Sequence, residues 1–264
     1  MNRNENILTI DRLSAGYRNG QSVKTVLSNL NATAMRGELI AVIGRNGSGK
    51  STLLRIITGL QRDYTGNVYI EQTETVKLSH RQLAKKVGYV STETVRVPNM
   101  SVYDLVALGR FPHTGWTGRL DSENETCVLK ALSDTGMTGM ASRYVSELSD
   151  GERQRAMITR TLAQDTSLMV MDEPTAFLDI TGKYEIFNLL KKITGENGKT
   201  VIFSTHDLQM AISCADKIWL LHNAALFEGA PKDLILNGVF DKIFDSGNIR
   251  YNPGAGTFTF RFQD

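Results

Sequence analysis

Three features of the sequence point to an α/β fold on a mostly parallel sheet. Short apolar runs rich in β-branched residues recur along the 264 residues, helical stretches separate them, and the first central run breaks into a glycine cluster that opens a helix. Leu39–Ile43 is that run and Gly44–Gly49 the cluster; Thr52–Leu60 follows as a helix ending near Gly59. Gly66–Ile70 and Val87–Val90 are further strand candidates. Between about residues 94 and 163 the strand signal fades, and Val102–Leu108, Glu123–Leu132 and Glu152–Leu162 carry the spacing of amphipathic helices. This stretch is expected to be a helical lobe inserted in one domain spanning 1–264. Strands then resume at Leu168–Met171, Val201–Phe203 and Lys217–Leu221, continuous apolar runs of the kind buried on both faces of a parallel sheet. From about Asp241 onward, through Thr257–Phe262, the chain reads as an extended, hairpin-like tail.

Composition narrows the function classes. With 41% hydrophobic and 22% charged residues the chain is an ordinary globular one, and a formal charge of +2 gives no basic stripe for nucleic acid. Cys127 and Cys214 have no CxxC spacing, which argues against a zinc site or disulfide framework and for a reducing compartment. Residues 1–11 are polar, with no apolar core of a signal peptide, and no apolar run is long enough to span a bilayer. A cytoplasmic location is the expectation.

Two motifs carry chemistry. Gly44-Arg45-Asn46-Gly47-Ser48-Gly49-Lys50-Ser51 matches G-x-x-x-x-G-K-[ST] between a strand and a helix. Glycines let backbone N–H groups wrap phosphates, and the helix N-terminus adds positive potential. Lys50 can neutralise β- and γ-phosphates, and the Ser51 hydroxyl can ligate Mg²⁺. The second motif is the strand Leu168–Met171 ending in Asp172-Glu173. Asp172 would face the phosphate loop and hold Mg²⁺ through water, and Glu173 is placed to take a proton from an attacking water. An Asp-Glu pair after a strand is usually a solvated loop; the phosphate loop in the same chain makes it functional.

Leu148-Ser149-Asp150-Gly151-Glu152-Arg153-Gln154 resembles the signature of ABC ATPases, and the other motifs follow in that family's order. Ser204-Thr205-His206-Asp207 resembles the switch histidine, Ala176-Phe177-Leu178-Asp179 the D-loop, and Tyr17 the aromatic that stacks on adenine. The resemblance runs from Ile7 to about Leu234. It implies a P-loop NTPase core with a β-rich N-terminal part and an inserted helical subdomain, binding ATP and Mg²⁺ and hydrolysing ATP. ATP contacts would come from Tyr17, Gly44, Asn46, Gly47, Ser48, Gly49, Lys50, Ser51 and Thr52 of one copy, with Ser149, Gly151 and Asp179 of its twin. Catalysis would rest on Glu173, His206 and Lys50. The implied partners are a second copy, membrane permease subunits and, indirectly, a substrate-binding protein, which puts the chain on the cytoplasmic face of the inner membrane. Ser149-x-x-Glu152 also fits a helix capping box, a compatible reading.

Ser101–His113 resembles a stretch of ATPases that serve iron–siderophore, haem and cobalamin importers, with the siderophore class favoured. A soluble ABC ATPase of DNA repair or translation should show a long coiled coil or two cassettes, and a GTPase an N-K-x-D motif; none is found. Two positions depart from the family. Thr92 stands at the Q-loop glutamine, so Thr92 or Glu93 is expected to take over contact with Mg²⁺ or water. Asp150 stands where the signature has glycine, so it must point away or raise the ATP needed for closure.

Overall fold

The computed structural model describes residues 5–19, 22–92, 98–115, 118–240, 249–252 and 257–260. Two long strands, β1 (Asn6–Asn19) and β2 (Ser22–Met35), open the chain and pair antiparallel. β3 (Leu39–Gly44) enters the core and runs through the glycine loop into α1 (Lys50–Ile57). β4 (Thr65–Ile70) and β5 (Thr73–Glu74) return to the first pair, giving a four-stranded antiparallel sheet in the order β2-β1-β4-β5. After α2 (His80–Ala84) and β6 (Val87–Val90), the described chain is helical: α3 (Val102–Ala107), α4 (Ser122–Asp134) and α5 (Asp150–Ala163). The remaining core elements are β7 (Leu168–Met171), α6 (Ile180–Gly195), β8 (Thr200–Ser204), α7 (Leu208–Cys214), β9 (Lys217–His222), β10 (Ala225–Gly229) and α8 (Pro231–Leu236).

The second sheet, in the order β10-β9-β3-β8-β7-β6, organises the molecule. Its strands are parallel except for the edge strand β10. Side chains alternate across a sheet, so each strand feeds two cores. Leu39, Ala41 and Ile43, with Met169, Met171, Val201 and Phe203, pack toward the helices of the 102–163 stretch and α6. Ile40 and Val42, with Leu168, Val170, Ile202 and Trp219, pack toward the antiparallel sheet and α1. Burial on both faces explains why these strands read as unbroken apolar runs.

Local sequence sets most helix starts. Ser79, Ser101 and Ser149 each accept a hydrogen bond from the third residue on, and that residue's side chain answers to the cap's backbone N–H. Asp121, Asp179 and Asp207 cap α4, α6 and α7 by accepting from the backbone N–H three residues on.

Some boundaries differ from the sequence reading. The helix expected at Thr52–Leu60 starts at Lys50 and stops at Ile57, because Gly59 turns left-handed (φ 70°). The helix expected at Val102–Leu108 ends at Ala107 and tightens into a 3-10 stretch, Leu108–His113, that contains Pro112. In the tail, β11 (Ile249–Asn252) and β12 (Thr257–Phe260) form an antiparallel pair; the rest of the tail lies outside the described residues.

Both cysteines are free thiols, Cys214 buried and Cys127 partly so. Burial pushes the Cys214 thiol up from 9.0 to about 12. Between those values the folded chain keeps a proton that the unfolded chain releases, so Cys214 makes stability fall as pH rises above about 9. Urea titrations from pH 8 to 10.5 should show that slope reduced in Cys214→Ala. Iodoacetamide at pH 8 should label Cys127 in the native protein and Cys214 only after unfolding, as read by peptide mass spectrometry.

Candidate functional site

Parallel pairing places β8 between β3 and β7, so the loops leaving the carboxyl ends of these three strands converge. The first is the glycine loop. A Cβ on Gly44 would sit 2.5 Å from Ser48 Oγ and 2.6 Å from the Leu221 carbonyl oxygen, so only glycine lets the loop close over the strand end. Gly49 caps α1 at φ 102°, and a Cβ there would meet Leu27 and Val26 at 2.6 and 2.9 Å. Ser48 Oγ is buried without a hydrogen-bond partner. Lys50 folds back so that its ammonium donates to the carbonyls of Gly44 (3.0 Å) and Arg45 (3.4 Å). Burial is the main influence on this ammonium and pushes its pKa below the ordinary value, against the pull of Glu173 and Asp172. An anion in the loop would relieve that penalty.

The loops after β7 and β8 meet through one hydroxyl. Ser204 Oγ donates to Asp172 Oδ1 at 2.6 Å and accepts from the Glu173 backbone N–H at 2.9 Å. Glu173 is held in the left-handed region at φ 48°, a conformation that costs a non-glycine residue on the order of 1–3 kcal/mol and persists only where its surroundings impose it. Its Oε1 lies 2.5 Å from His206 Nε2. Two residues past β6, the Thr92 hydroxyl donates to the Asp172 carbonyl at 3.0 Å, so the residue at the glutamine position touches the acidic strand end. Glu93 lies outside the described residues.

These groups border a cavity of about 410 Å³, within the usual range for small-molecule sites. Asn46, Gly47, Gly49, Lys50, Ser51 and Thr52 line it together with Glu173, His206 and Tyr17. Tyr17 is half-exposed, and its hydroxyl shares a 2.7 Å hydrogen bond with Thr52 Oγ1. Asp172 is buried and does not line the cavity, Gly44 ends β3, and Ser48 lines an adjoining cleft. No cluster of three or more His, Cys, Asp or Glu side chains able to hold a metal exists among the described residues. Asp172 and the Ser51 hydroxyl are oxygen donors that suit Mg²⁺ carried in with phosphate oxygens, the usual way this ion is bound.

Ser149, Gly151 and Asp179 are elsewhere. They line a second cavity, about 600 Å³, that shares no lining residue with the first. Ser149 is the α5 cap: its Oγ accepts from the Glu152 N–H, and its own N–H donates to Glu152 at 2.8 Å. The Ser149 hydrogen bonds hold the Glu152 carboxyl below its ordinary pKa. Asp179 caps α6 by accepting from the Gly182 N–H at 2.7 Å.

Sequence reasoning missed Lys24 and Val26, which reach the first cavity from β2, and the linking role of Ser204. A lone polar residue closing an apolar strand was the available signal for Ser204; nothing local marks Lys24 or Val26.

Residues 27–176 match the model of the family described as ABC transporter. The chain is 36% identical over 219 residues to the petrobactin import ATP-binding protein FpuC of Bacillus anthracis, covering 83% of this chain and 80% of that one. It is 34% identical over 249 residues to the ferric enterobactin transport ATP-binding protein FepC of Escherichia coli K12, covering 94% and 90%. Among solved structures it is similar to a dimeric ATP-binding cassette in a post-hydrolysis state with ADP and Pi bound (TM-score 0.73, 30% identity, 85% of this chain and 98% of that chain).

Ser204→Ala would leave the buried Asp172 oxygen and the Glu173 N–H without a partner, and should lower stability by about 1–3 kcal/mol. Denaturant unfolding with unchanged m-value is the measurement.

Proposed function

The chain belongs to the ABC transporter ATP-binding family, and from that premise we propose that it powers the import of ferric siderophores by ATP hydrolysis at a site completed by a second copy. One observation carries this reading: the phosphate-loop cavity and the cavity at the capped tip of α5 share no lining residue. A triphosphate cradled by Lys50, Ser51 and the loop N–H groups has no α5 tip of its own to meet. Ser149, Gly151 and Asp179 of another copy would close over it, and its phosphate loop would serve the second nucleotide.

Each side chain then has a role. Lys50, freed from the Gly44 and Arg45 carbonyls, neutralises the terminal phosphates. Asp172 and Ser51 hold Mg²⁺, whose charge shields the phosphate oxygens. The Glu173 carboxylate takes the proton of the attacking water, and His206, hydrogen-bonded to it, keeps water and γ-phosphate aligned. Thr92, tied to the Asp172 backbone, is the candidate to take over the missing glutamine's contact with Mg²⁺ or the attacking water. Tyr17 offers its ring to the adenine. ATP thereby stabilises a closed dimer that opens after hydrolysis.

No helix among the described residues is long and apolar enough to cross a membrane, so the membrane spans would belong to permease subunits. We read residues 94–163 as the inserted subdomain that receives them, at the cytoplasmic face of the inner membrane. The ferric cargo is argued from the relatives: one is named for petrobactin import and another for ferric enterobactin transport. A substrate-binding protein would deliver the cargo from the far side.

Glu173→Gln should lower kcat by about 10²–10⁴-fold and accumulate an ATP-bound dimer, with nucleotide affinity kept. ATPase assay and light scattering with ATP are the measurements; normal turnover would remove Glu173 from its role. In membranes holding the co-purified permease, uptake of an iron-loaded siderophore should stop with Lys50→Ala.

A further inference from the structure

The acid at position 150 stands on the surface that, in the proposed function, meets the partner copy's triphosphate. Asp150 is the first residue of α5 and its side chain is 61% exposed, lining the second cavity beside Ser149 and Gly151. Three residues on, Arg153 is the opposite: its side chain is 9% exposed. The guanidinium reaches back along the helix, one nitrogen donating to Asp150 Oδ1 at 2.5 Å and another to the Leu148 carbonyl at 2.6 Å. Its Nε has no partner. A buried cation with an unmet donor needs a nearby anion, and the Asp150 carboxylate is held against it.

A first-turn acid also stabilises a helix through its dipole, which would explain Asp150 with no reference to ligand. That account does not explain why the one buried guanidinium of the α5 tip is aimed at it, nor why the grip is shared with Leu148, next to the cap. We propose that Arg153 is a positioning residue for ATP-driven closure. It holds the Asp150 carboxylate away from the approaching phosphate and cancels its charge, so that the Ser149 tip can receive a triphosphate despite an acid where the family's signature has glycine. The inference rests on the two-copy site above.

The test is the ATP concentration that half-saturates dimer formation in the Glu173→Gln protein, followed by light scattering. Arg153→Gln should raise it about fivefold or more by releasing an uncompensated carboxylate a few ångströms from the phosphates. Asp150→Asn, which keeps an oxygen for Arg153, should leave it within about twofold, and adding Asp150→Asn to Arg153→Gln should restore it to within about twofold. That rescue is what a purely structural role for Arg153 would not give. The increase should also shrink as NaCl is raised from 50 mM to about 1 M. Should Arg153→Gln not fold, Arg153→Met, which keeps the buried length without the charge, replaces it, with a shift in the same direction and the same relief by Asp150→Asn. An unaltered ATP requirement in the Arg153 variant, or no relief from Asp150→Asn, overturns the inference. If the Glu173→Gln parent forms no dimer with ATP, the two-copy reading falls and this inference with it; a parent that dimerises over a flat variant series sinks the inference alone.

Discussion

The order in which parallel strands pair is the constraint on which the site depends. Because β8 lies between β3 and β7, three segments far apart in the chain end side by side. The glycine loop leaves β3, the paired acids leave β7, and the histidine loop leaves β8. Open α/β sheets bind ligands outside the carboxyl ends of their strands, and here β3 is flanked by β8 and β9, a point where connections leave in different directions. The register is fixed by burial, since a one-residue slip would turn every core side chain of a strand to the other face. Leu39 opposite Val201 and Leu168 opposite Thr200 therefore set, several residues later, where Lys50, Glu173 and His206 meet.

A short chain of hydrogen bonds stiffens that meeting point. Thr92 holds the Asp172 carbonyl, Ser204 joins the Asp172 carboxylate to the Glu173 N–H, and His206 takes the Glu173 carboxylate. Glu173 adopts a left-handed backbone that is costly for a non-glycine residue, and the Ser204 hydroxyl at the end of β8 and His206 just beyond it hold it there. Strain kept in place by surrounding bonds is a common way to preset a reactive group. Lys50 is the complementary case: among the described residues its buried ammonium donates to two backbone carbonyls, which the proposed function would have it exchange for phosphate oxygens.

The two cavities carry different parts of the proposed two-copy site. One is lined by the phosphate loop, Glu173 and His206; the other by the capped tip of α5. In that proposal neither alone makes a full triphosphate site, and ATP would link two chains. The exposed apolar side chain of Phe177 lines the cavity at the helix tip, as expected for a face that would be covered if two copies meet there.

Local chemistry wrote much of this into the sequence. The strand–glycine loop–helix at 39–57, the acids closing β7 and the Ser149–Glu152 cap depend on neighbours within a few residues, so residue type and spacing suffice to reveal them. The helical run after β6 was legible from periodicity, though not the tightening at Leu108–His113, where Pro112 removes a backbone donor and packing sets the course. Other parts were settled only by tertiary structure. Lys24 and Val26 reach the cavity because β2 happens to pass the glycine loop, and no pattern around them says so. Ser204 links two acids 31 and 32 residues away in sequence, Thr92 reaches across 80, and Asp150 turns out to be held by Arg153. The sequence determined which groups the chain owns and how each is presented by its own turn or cap. The pairing order of a sheet buried on both faces decided which of them meet, because contacts between distant segments are set by core burial and not by the residues that use them.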